Sequence, residues 1–430
     1  MDTFFRRVSS GTRLREYPKI GSLLMIKYIQ TQDPSDCCGC RACEQICTHK
    51  ALHFEEDKEG FFYPVLNATL CVDCGLCSMV CPLMNPEKVQ HKEEGDAYAA
   101  QYLKQGDLKT SSSGGGFIAI AKYVLNKGGV VYGAAYQNGP IVVHQRVDNF
   151  YDLEKLKGSK YVQSDTRSSY SLIKKDLKDG CLVYFTGTPC QVAGLKLFLR
   201  MEYENLITSD LICHGTPSLK IFQNTVSHIE TQLNADFKDY SFRDKKVRGW
   251  SCCSSSSYKS RSNGKIIYLN YSKDMEAYFN AFISGHLMRM NCYKCPFANH
   301  YRCGDITLAD FWGVRKKMPD FPDIYKGVSL LIANSEKGKL LMSELNESFY
   351  MRSVSMDDAI ATNANLRKPT PFAEERKKSY VLALNDYPSF LKRYYKGNYL
   401  INNLKIQIEY FIRKHEWLFA LISNTKKILK

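Results

Sequence analysis

The sequence predicts an α/β (α+β) protein with a ferredoxin-like domain, a larger α/β domain and a C-terminal helical tail. Three observations support this prediction. Two cysteine-rich runs lie within residues 31–90, strand-like and helix-like segments alternate from residue 97 onwards, and apolar residues recur at helical spacing after residue 391. At 430 residues, 44% of them hydrophobic, the chain is long enough for several domains with their own cores.

The ferredoxin-like domain is indicated by two cysteine runs of the same spacing. Residues 37–47 and residues 71–82 each contain the pattern C-x2-C-x2-C-x3-C. In this pattern three neighbouring thiolates hold one 4Fe–4S cube, and the fourth reaches the other cube. The predicted ligands are Cys37, Cys40, Cys43 and Cys81 for one cube, and Cys71, Cys74, Cys77 and Cys47 for its twin. Between the runs, residues 53–54 and 60–65 predict a short hairpin.

Other uses of these cysteines fit the pattern less well. A zinc site needs four ligands and usually takes two C-x2-C pairs, whereas these runs supply eight thiols. Disulfide bonds among the nine cysteines before residue 82 would be crowded. Residues 1–27 lack the apolar segment of a secretory signal, and no window holds the ~18 apolar residues of a membrane helix. We therefore expect reduced thiols in a cytoplasmic protein, with translation starting at Met1 or Met25.

Charge is distributed unevenly along the chain. Residues 31–90 carry four Lys/Arg and nine Asp/Glu, a net charge of −5, so the rest must carry +20 to give the total of +15. This asymmetry predicts that the acidic domain docks on the basic body, or that the body attracts an anionic partner or substrate. The sequence has no helix-turn-helix, zinc-finger or aromatic-basic signature, so we do not expect nucleic acid as a partner.

The α/β domain is indicated by alternating segments. Predicted strands cover residues 97–103, 130–136, 181–185 and 206–213, and predicted helices cover residues 117–126, 191–199 and 216–233. We expect Thr216 and Pro217 to be the N-cap and first residue of the last helix. Residues 238–271, rich in Tyr and Ser, predict a hairpin or added antiparallel strands.

A Ser/Gly loop, residues 110–116, follows the first of these strands and enters a helix. Glycines allow a ligand to approach the backbone closely, hydroxyls donate hydrogen bonds, and a helix N-terminus favours anions. This combination suits the phosphate of a flavin or nucleotide, whereas many such loops are only connections. The residues alone weigh these two interpretations equally.

A second group of cysteines lies where predicted strands end. Its members are Cys190, Cys213, Cys292 and Cys295, with Cys303 nearby in the sequence. Four thiols from three loops suit a third 4Fe–4S cluster or a zinc ion, whereas single cysteines are often only small buried apolar residues. Without ligand spacing, and therefore predicted to be structural, are Cys38, Cys181, Cys252 and Cys253. We interpret His214 as a capping residue in preference to an acid–base group.

Further blocks occur in order along the chain: SSSGGGF (111–117), KGSKY (157–161), TGTPCQ (186–191), ICHG (212–215), CYKC (292–295) and GDITLADFWG (304–313). Together with the cysteine runs they resemble the coenzyme F420 hydrogenase/dehydrogenase beta-subunit family, in the bacterial form with an N-terminal ferredoxin domain. The resemblance implies an FAD-binding iron–sulfur protein. It implies flavin contacts at Ser113, Gly114, Gly115, Lys160 and Tyr161, and a cluster near the flavin on Cys190, Cys213, Cys292 and Cys295.

The resemblance implies an oxidoreductase that passes electrons between 4Fe–4S clusters and a flavin to reduce or oxidise an unidentified substrate. Relatives of this two-domain form occur in bacteria that do not use F420, often beside polysaccharide-biosynthesis genes, so F420 activity is not transferred to this chain. Thr48 stands where the first run normally has a proline. The alternative hypothesis is an electron-transfer subunit without its own substrate. A structural zinc protein is the third hypothesis. We expect a redox protein or a small molecule as the electron donor.

The tail, residues 391–430, holds nine Lys/Arg and two Glu, with apolar residues at helical spacing. A basic amphipathic helix can lie on an anionic membrane, but we favour the commoner arrangement in which it covers the sheet and turns a basic face to water. The predicted regions are an N-terminal extension (1–30), a ferredoxin-type domain (31–90), a Ser/Gly region (91–175), a region with the second cysteine group (176–345) and a helical tail (346–430).

Overall fold

The computed structural model describes residues 25–414. Outside the described residues lie most of the predicted N-terminal extension (1–24) and the last part of the tail (415–430). The start of translation at Met1 or Met25 depends on the first of these segments and stays a prediction. The ferredoxin-type domain contains helices α1 (Lys27–Thr31), α2 (Ala42–Ile46) and α3 (Leu76–Met79), and strands β1 (Leu52–Glu56) and β2 (Phe62–Leu66). The two strands pair antiparallel, which confirms the hairpin predicted between the cysteine runs.

Both cysteine runs fold through the same backbone turn. Arg41 in the first run and Gly75 in the second take the left-handed conformation, with φ of 59° and 70°, directly before helices α2 and α3. This conformation reverses the chain sharply, so a short helix can begin inside each run. The repeated spacing in the sequence is therefore a repeated local structure.

The body is built on one large and one small sheet. The strands are β3 (Asp96–Tyr102), β4 (Val130–Gln137), β5 (Ile141–Val147), β6 (Val183–Gly187), β7 (Leu206–Leu211), β8 (Ala235–Ser241), β9 (Ser255–Ser260), β10 (Ile266–Leu269), β11 (Ile306–Asp310), β12 (Ser329–Ala333) and β13 (Phe349–Val354). The large sheet has the order β13-β3-β12-β11-β7-β6-β4-β5. Strands β4, β6, β7 and β11 are parallel, and the others pair antiparallel with their neighbours. Strands β8, β9 and β10 form the small antiparallel sheet, which confirms the strands predicted in residues 238–271.

Helices cover the sheets and form most of the C-terminal part. They are α4 (Gln105–Thr110), α5 (Gly116–Asn126), α6 (Phe150–Leu153), α7 (Ser169–Lys178), α8 (Pro189–Leu199), α9 (Leu219–Leu233), α10 (Lys245–Arg248), α11 (Lys273–Ile283), α12 (Val314–Lys317), α13 (Glu336–Glu344), α14 (Met356–Thr362), α15 (Arg376–Asn385), α16 (Tyr387–Tyr394) and α17 (Tyr399–Lys414). Helix α9 begins later than predicted, because Ser218 and not Thr216 is its N-cap and accepts a hydrogen bond from the Ile221 amide.

The core follows the alternation of side chains along the central strands. Along β4, Val131 and Ala135 pack with residues of α5 on one face of the sheet, and Val130 and Tyr132 pack with residues of α7 and α8 on the other. Both faces of the sheet are therefore buried, as expected for parallel strands covered by helices. The predicted fold class, with a ferredoxin-type domain, an α/β body and a C-terminal helical region, is confirmed.

One predicted region differs in the structure. Strand β13 lies within the predicted helical tail and completes the large sheet beside β3; the other strands of this sheet come from both predicted regions, 91–175 and 176–345. The tail is thus helical only from α14 onwards. We expected the tail to cover the sheet. Its last described helix, α17, packs instead on α10. Between residues 25 and 414, no helix is both long and apolar enough to cross a membrane.

The ferredoxin-type domain docks on the body through partly and fully buried charged side chains. Arg41 Nη2 donates to Asp165 Oδ2 at 3.1 Å, and Arg376 donates to both carboxylate oxygens of Glu59, at 2.9 and 2.6 Å. Thr166 donates its hydroxyl to the carbonyl of Cys40 at 2.9 Å. The docking predicted from the charge asymmetry is confirmed, although charges of both signs on each side contribute to it.

Candidate functional site

The four thiols predicted for one of the two clusters line a single pocket. These residues are Cys47, Cys71, Cys74 and Cys77, and apolar side chains including Met25, Ile26, Leu52 and Leu66 complete its walls. The Ala51 amide donates to Cys47 Sγ at 3.3 Å, a contact that stabilises a sulfur carrying negative charge. Four free thiols in an apolar pocket fit the ligand set of a 4Fe–4S cube.

The four thiols predicted for the other cluster are also neighbours. Cys40 and Cys43 are buried, and burial, followed by the thiolates of Cys37 and Cys81, raises the pKa of Cys43 well above its ordinary value. Burial and then Cys37 raise the pKa of Cys81 to about 12. Thiolates so close together repel one another, and a positively charged iron–sulfur core would remove this repulsion. Cys77 also contributes to the raised pKa of Cys43, so the two groups of four are adjacent.

The structure brings together the second cysteine group. Cys190 lies in the first turn of α8 after β6, Cys213 follows β7, and Cys292 and Cys295 lie in and directly after a short turn at residues 290–294. Burial, followed by Cys292, Cys190 and Cys295, raises the pKa of Cys213. Burial and then Cys190 raise the pKa of Cys295 to about 12. Residues far apart in the sequence thus meet at the carboxyl edge of the parallel strands, and their role as cluster ligands remains a prediction.

A single metal ion needs ligands closer together than a cube does. Within residues 25–414, no three His, Cys, Asp or Glu side chains converge tightly enough to hold one ion. Because the sulfurs around a 4Fe–4S cube are farther apart than the sulfurs around one zinc ion, this finding concerns single ions and not cubes.

Cys38 connects the first cysteine run with the second cysteine group. It is 5% exposed and belongs to a buried cluster against which Cys190 and Cys295 pack. The neighbouring thiol of Cys38, followed by burial, raises the pKa of Cys190. The sequence indicated only a structural role, because Cys38 lies outside the C-x2-C-x2-C-x3-C spacing. Its position directly after Cys37 was the one available signal.

The two blocks predicted to contact a flavin lie against each other. The Ser159 amide donates to Ser112 Oγ at 2.8 Å, and Lys157 Nζ donates to Asp107 Oδ1 at 2.9 Å and to Thr110 Oγ1 at 3.1 Å. The Ser/Gly loop and the block KGSKY (157–161) therefore form one surface, although more than 40 residues separate them in the sequence.

The glycines of this loop are explained by their packing. A Cβ on Gly114 would lie 2.2 Å from the Ala100 carbonyl oxygen, and a Cβ on Gly115 would lie 2.7 Å from Tyr102 Cβ. Protein atoms thus occupy the Cβ side of both glycines. Ser113 Oγ donates to the Val328 carbonyl at 3.1 Å, and Lys160 Nζ donates to the Lys157 carbonyl at 2.7 Å. The contact of these four residues with a flavin remains a prediction.

The fifth predicted residue, Tyr161, belongs to an aromatic and charged cluster. Burial raises the pKa of Tyr161 to about 12, although the nearby charge of Arg243 lowers it. Arg243 forms an ion pair with Asp310, which also accepts a hydrogen bond from Trp250 Nε1 at 2.7 Å. The Trp250 and Trp312 rings stack 5.1 Å apart and nearly parallel, and Trp312 is 48% exposed. An exposed indole supported from behind offers a flat surface for a planar ring, which fits a flavin.

Neither Arg243 nor Trp250 was singled out from the sequence. Asp310 and Trp312 belong to the block GDITLADFWG, which was the signal for this place, but Arg243 and Trp250 come from the segment between β8 and β9. Lys245 Nζ, from the same segment, donates to the carbonyls of Ser113 and Leu108 and so joins the aromatic cluster to the Ser/Gly loop.

The remaining candidates have structural surroundings. His214 Nε2 lies 3.0 Å from the Ile283 carbonyl, and Nδ1 lies 3.2 Å from Thr370 Oγ1, as expected for a capping residue. Cys303 is buried, and its amide donates to Asp210 Oδ2 at 2.9 Å.

Comparisons with known proteins agree with the motifs. Residues 181–359 match the model for the C terminus of the coenzyme F420 hydrogenase/dehydrogenase beta subunit, and residues 36–84 match that of a 4Fe–4S dicluster domain. A coenzyme F420-dependent sulfite reductase of Methanocaldococcus jannaschii is 27% identical over 193 residues, which are 43% of this chain and 28% of that protein. The ferredoxin-type protein NapF of Escherichia coli is 39% identical over 44 residues, 10% of this chain and 27% of that protein.

This chain therefore aligns with only about a quarter of the length of either relative. A chain of the F420-reducing NiFe hydrogenase complex from Methanosarcina barkeri is similar with a TM-score of 0.40 and 16% identity, over 67% of this chain and 91% of that chain. The two family matches confirm the resemblance seen in the motifs.

Proposed function

We propose that this chain, which joins a 4Fe–4S dicluster domain to a coenzyme F420 hydrogenase/dehydrogenase beta-subunit domain, conducts electrons through three clusters to a redox reaction on its body. The observation that carries the proposal is the packing of the first cysteine run on helix α8: Cys38 and Cys40 lie in one buried cluster with residues of that helix, and Cys190 packs against the cluster. Electron transfer requires closely spaced centres, so the packing of the predicted ligand Cys40 and its neighbour Cys38 near Cys190 supports a continuous path.

The order of the three thiol groups supports a direction of electron flow through the protein. The group of Cys71, Cys74, Cys77 and Cys47 includes the exposed Cys74, so it is accessible to an electron donor. The group of Cys37, Cys40, Cys43 and Cys81 comes next, with Cys40 and Cys43 buried, and the second cysteine group lies beyond it, reached where Cys190 packs near Cys38 and Cys40. Electrons would enter at the surface of the ferredoxin-type domain and leave near the carboxyl edge of the large sheet.

A flavin is the acceptor that the family resemblance favours. When bound, a flavin supplies the coupling between single-electron and two-electron chemistry. The residues of this chain that would hold it are the exposed indole of Trp312, with Trp250 behind it, and Tyr161 and Arg243 at its edge. Arg243 Cζ lies over the Trp312 ring, 5.0 Å from its centroid, so this aromatic cluster carries a positive charge that would attract an electron-rich or anionic group.

The charge of the body supports an anionic substrate. Outside residues 31–90 the chain carries a net charge of +20, as derived above from its composition. A place in polysaccharide biosynthesis and a cytoplasmic location complete the proposal, and both rest on the resemblance and on the sequence pattern.

Iron, sulfide and flavin quantitation on anaerobically purified protein tests this function, together with electron paramagnetic resonance. We expect about twelve irons, about twelve sulfides and about one flavin per chain. About twelve irons without flavin would contradict the oxidoreductase hypothesis and support the alternative, an electron-transfer subunit without its own substrate. Zinc with little iron would contradict both functions.

A further inference from the structure

Helix α17 is held on the body by one face. Ile406 is 6% exposed and packs with Val247 of α10 and with Cys253. Arg248 of α10 donates from Nη2 to Glu409 Oε1 at 3.0 Å. The face of α17 that points to the protein is therefore fixed by an apolar contact and by an ion pair.

The opposite face of α17 is apolar and exposed. Leu400, Ile401, Leu404 and Ile408, here called the apolar stripe, are 74%, 52%, 62% and 50% exposed. At 100° per residue these four positions fall within an arc of about 100°, and Ile406 lies on the other side of the helix. A helix of a globular protein normally turns such an arc towards the core, so the stripe needs another apolar surrounding.

Positive charge accompanies the apolar stripe. Lys405 is exposed and follows Ile401 by four residues, so it borders the stripe, and Lys392 and Lys396 are exposed just before the helix. Glu409, the acidic residue of α17, is neutralised by Arg248. Residues 391–430 carry nine Lys/Arg and two Glu, a net charge of +7.

We propose that the apolar stripe of α17 inserts into the interface of an anionic membrane, with the surrounding lysines at the lipid headgroups. A helix with exposed aliphatic residues on one face and lysines at its borders has the chemistry that recognises such a surface. Because the inward face of α17 is already bound to α10, the helix would bring the whole protein to the membrane. This inference is independent of the proposed redox function, since no residue of α17 belongs to the cysteine groups.

Vesicle flotation of the full-length, anaerobically purified protein tests the proposal. Vesicles of phosphatidylcholine alone are compared with vesicles that also contain phosphatidylglycerol, at low and at high salt. We expect the protein to float with the anionic vesicles, to remain unbound with phosphatidylcholine alone, and to bind more weakly at high salt.

Two neighbouring substitutions separate the apolar stripe from charge alone. Ile408→Glu introduces one negative charge into the stripe, and Gln407→Glu introduces the same charge at an exposed polar position beside it. We expect Ile408→Glu to weaken partition at least about tenfold, and Gln407→Glu to weaken it less than about threefold. An uncharged variant, Leu404→Gln, should also weaken partition, and iron content confirms that each variant is folded.

Three results would overturn the proposal. The first is wild-type protein that does not float with anionic vesicles, and the second is an equal loss in the Ile408→Glu and Gln407→Glu variants. The third is a concentration-dependent dimer that Ile408→Glu abolishes, because the apolar stripe would then bind a second copy of this chain.

Discussion

Arg289 donates its Nε proton to the backbone carbonyl of Cys37 at 2.8 Å, from 252 residues further along the chain. The same guanidinium donates to the Phe62 carbonyl at 2.9 Å and to Gln163 Oε1 at 3.2 Å, and the side chain is 1% exposed. One buried cation thus joins the first cysteine run, the hairpin of the ferredoxin-type domain and the body. It also directly precedes the turn that carries Cys292.

Replacing this cation should change both stability and redox properties. In Arg289→Gln the carbonyls of Cys37 and Phe62 lose a charged donor, so we expect the free energy of unfolding to fall by about 3 kcal/mol. Loss of a buried positive charge near an iron–sulfur cluster makes its reduction less favourable, so we expect the potential of the nearest cluster to become more negative. Anaerobic denaturant unfolding and redox titrations followed by electron paramagnetic resonance measure the two effects. Arg261→Gln, at an exposed ion pair with Asp236, should leave both unchanged, and equal potentials in the two variants would contradict the role of Arg289.

Cys295→Ser should remove one cluster and leave the other two. Since Cys295 neighbours Cys190 and Cys292, loss of its thiolate would leave three ligands for the third cube. We expect iron per chain to fall from about twelve to about eight, with the signals of the two ferredoxin-type clusters retained. Cys181→Ser is the control, because Cys181 follows α7 outside all three cysteine groups, and it should keep about twelve irons. Unchanged iron in Cys295→Ser would exclude this cysteine as a ligand.

Gly114→Ala should destabilise the protein through close packing. The added methyl group would lie 2.2 Å from the Ala100 carbonyl oxygen and 2.4 Å from the Ser329 amide nitrogen, both of which are fixed in strands. We expect the free energy of unfolding to fall by about 3 kcal/mol. The matched control is Gly106→Ala in helix α4, where a Cβ meets nothing within 4 Å. It should be neutral or stabilising by up to about 1 kcal/mol, and similar midpoints for both variants in denaturant unfolding would contradict the packing argument.

Lys245 should make stability depend on pH. Burial, followed by the charge of Arg243, lowers the pKa of Lys245 to about 7, whereas a lysine in the unfolded chain keeps a pKa near 10.5. Between these values the unfolded chain binds the proton and the folded chain does not, so this residue's destabilisation is complete below about pH 7 and disappears towards about pH 10.5. Over that window its contribution to stability rises by about 1.4 kcal/mol per pH unit.

The variant Lys245→Gln removes this titration. Wild-type stability minus that of the variant should therefore rise with pH between about pH 7.5 and about pH 9.5, as measured by denaturant unfolding at several pH values. Lys245 donates two hydrogen bonds, to the carbonyls of Ser113 and Leu108, and a neutral amine still has the two N–H groups that these bonds need. Because the bonds are present at every pH, losing them in the variant lowers its stability by the same amount at every pH. Lys246→Gln, at the exposed neighbouring position, should follow the pH dependence of the wild type. A pH-independent difference would show that Lys245 is charged in the folded state.

Much of the fold could be predicted because its signals are local. The hairpin between the cysteine runs, the strands in residues 238–271 and the alternation of strands and helices follow from short segments. Strand β13 was not predicted because its six residues directly precede a segment that forms a helix. They form a strand through their pairing with β3, which is distant in the sequence. The start of α9 was misplaced by two residues, about half a turn, because Thr216 and Ser218 are both good caps and the tertiary structure uses Ser218.

The flavin region shows where local reasoning is insufficient. Glycines in a loop suggested an approach for a ligand, but Gly114 faces the carbonyl of Ala100, a contact that exists only after the loop packs on the sheet. The stacked pair of Trp250 and Trp312 joins segments more than 60 residues apart, so no sequence pattern could place the two rings together.

The sequence by itself determined the two ferredoxin-type cysteine groups, because their ligands lie within short loops whose spacing permits only a narrow choice of backbone. The tertiary structure decided what those groups are connected to. It brought Cys190 to Cys38 and to the other cysteines of its group, buried Arg289 against Cys37, and turned the apolar stripe of α17 away from the sheet. These contacts join residues far apart in the chain, and they arise from packing of the whole core, which no local spacing encodes.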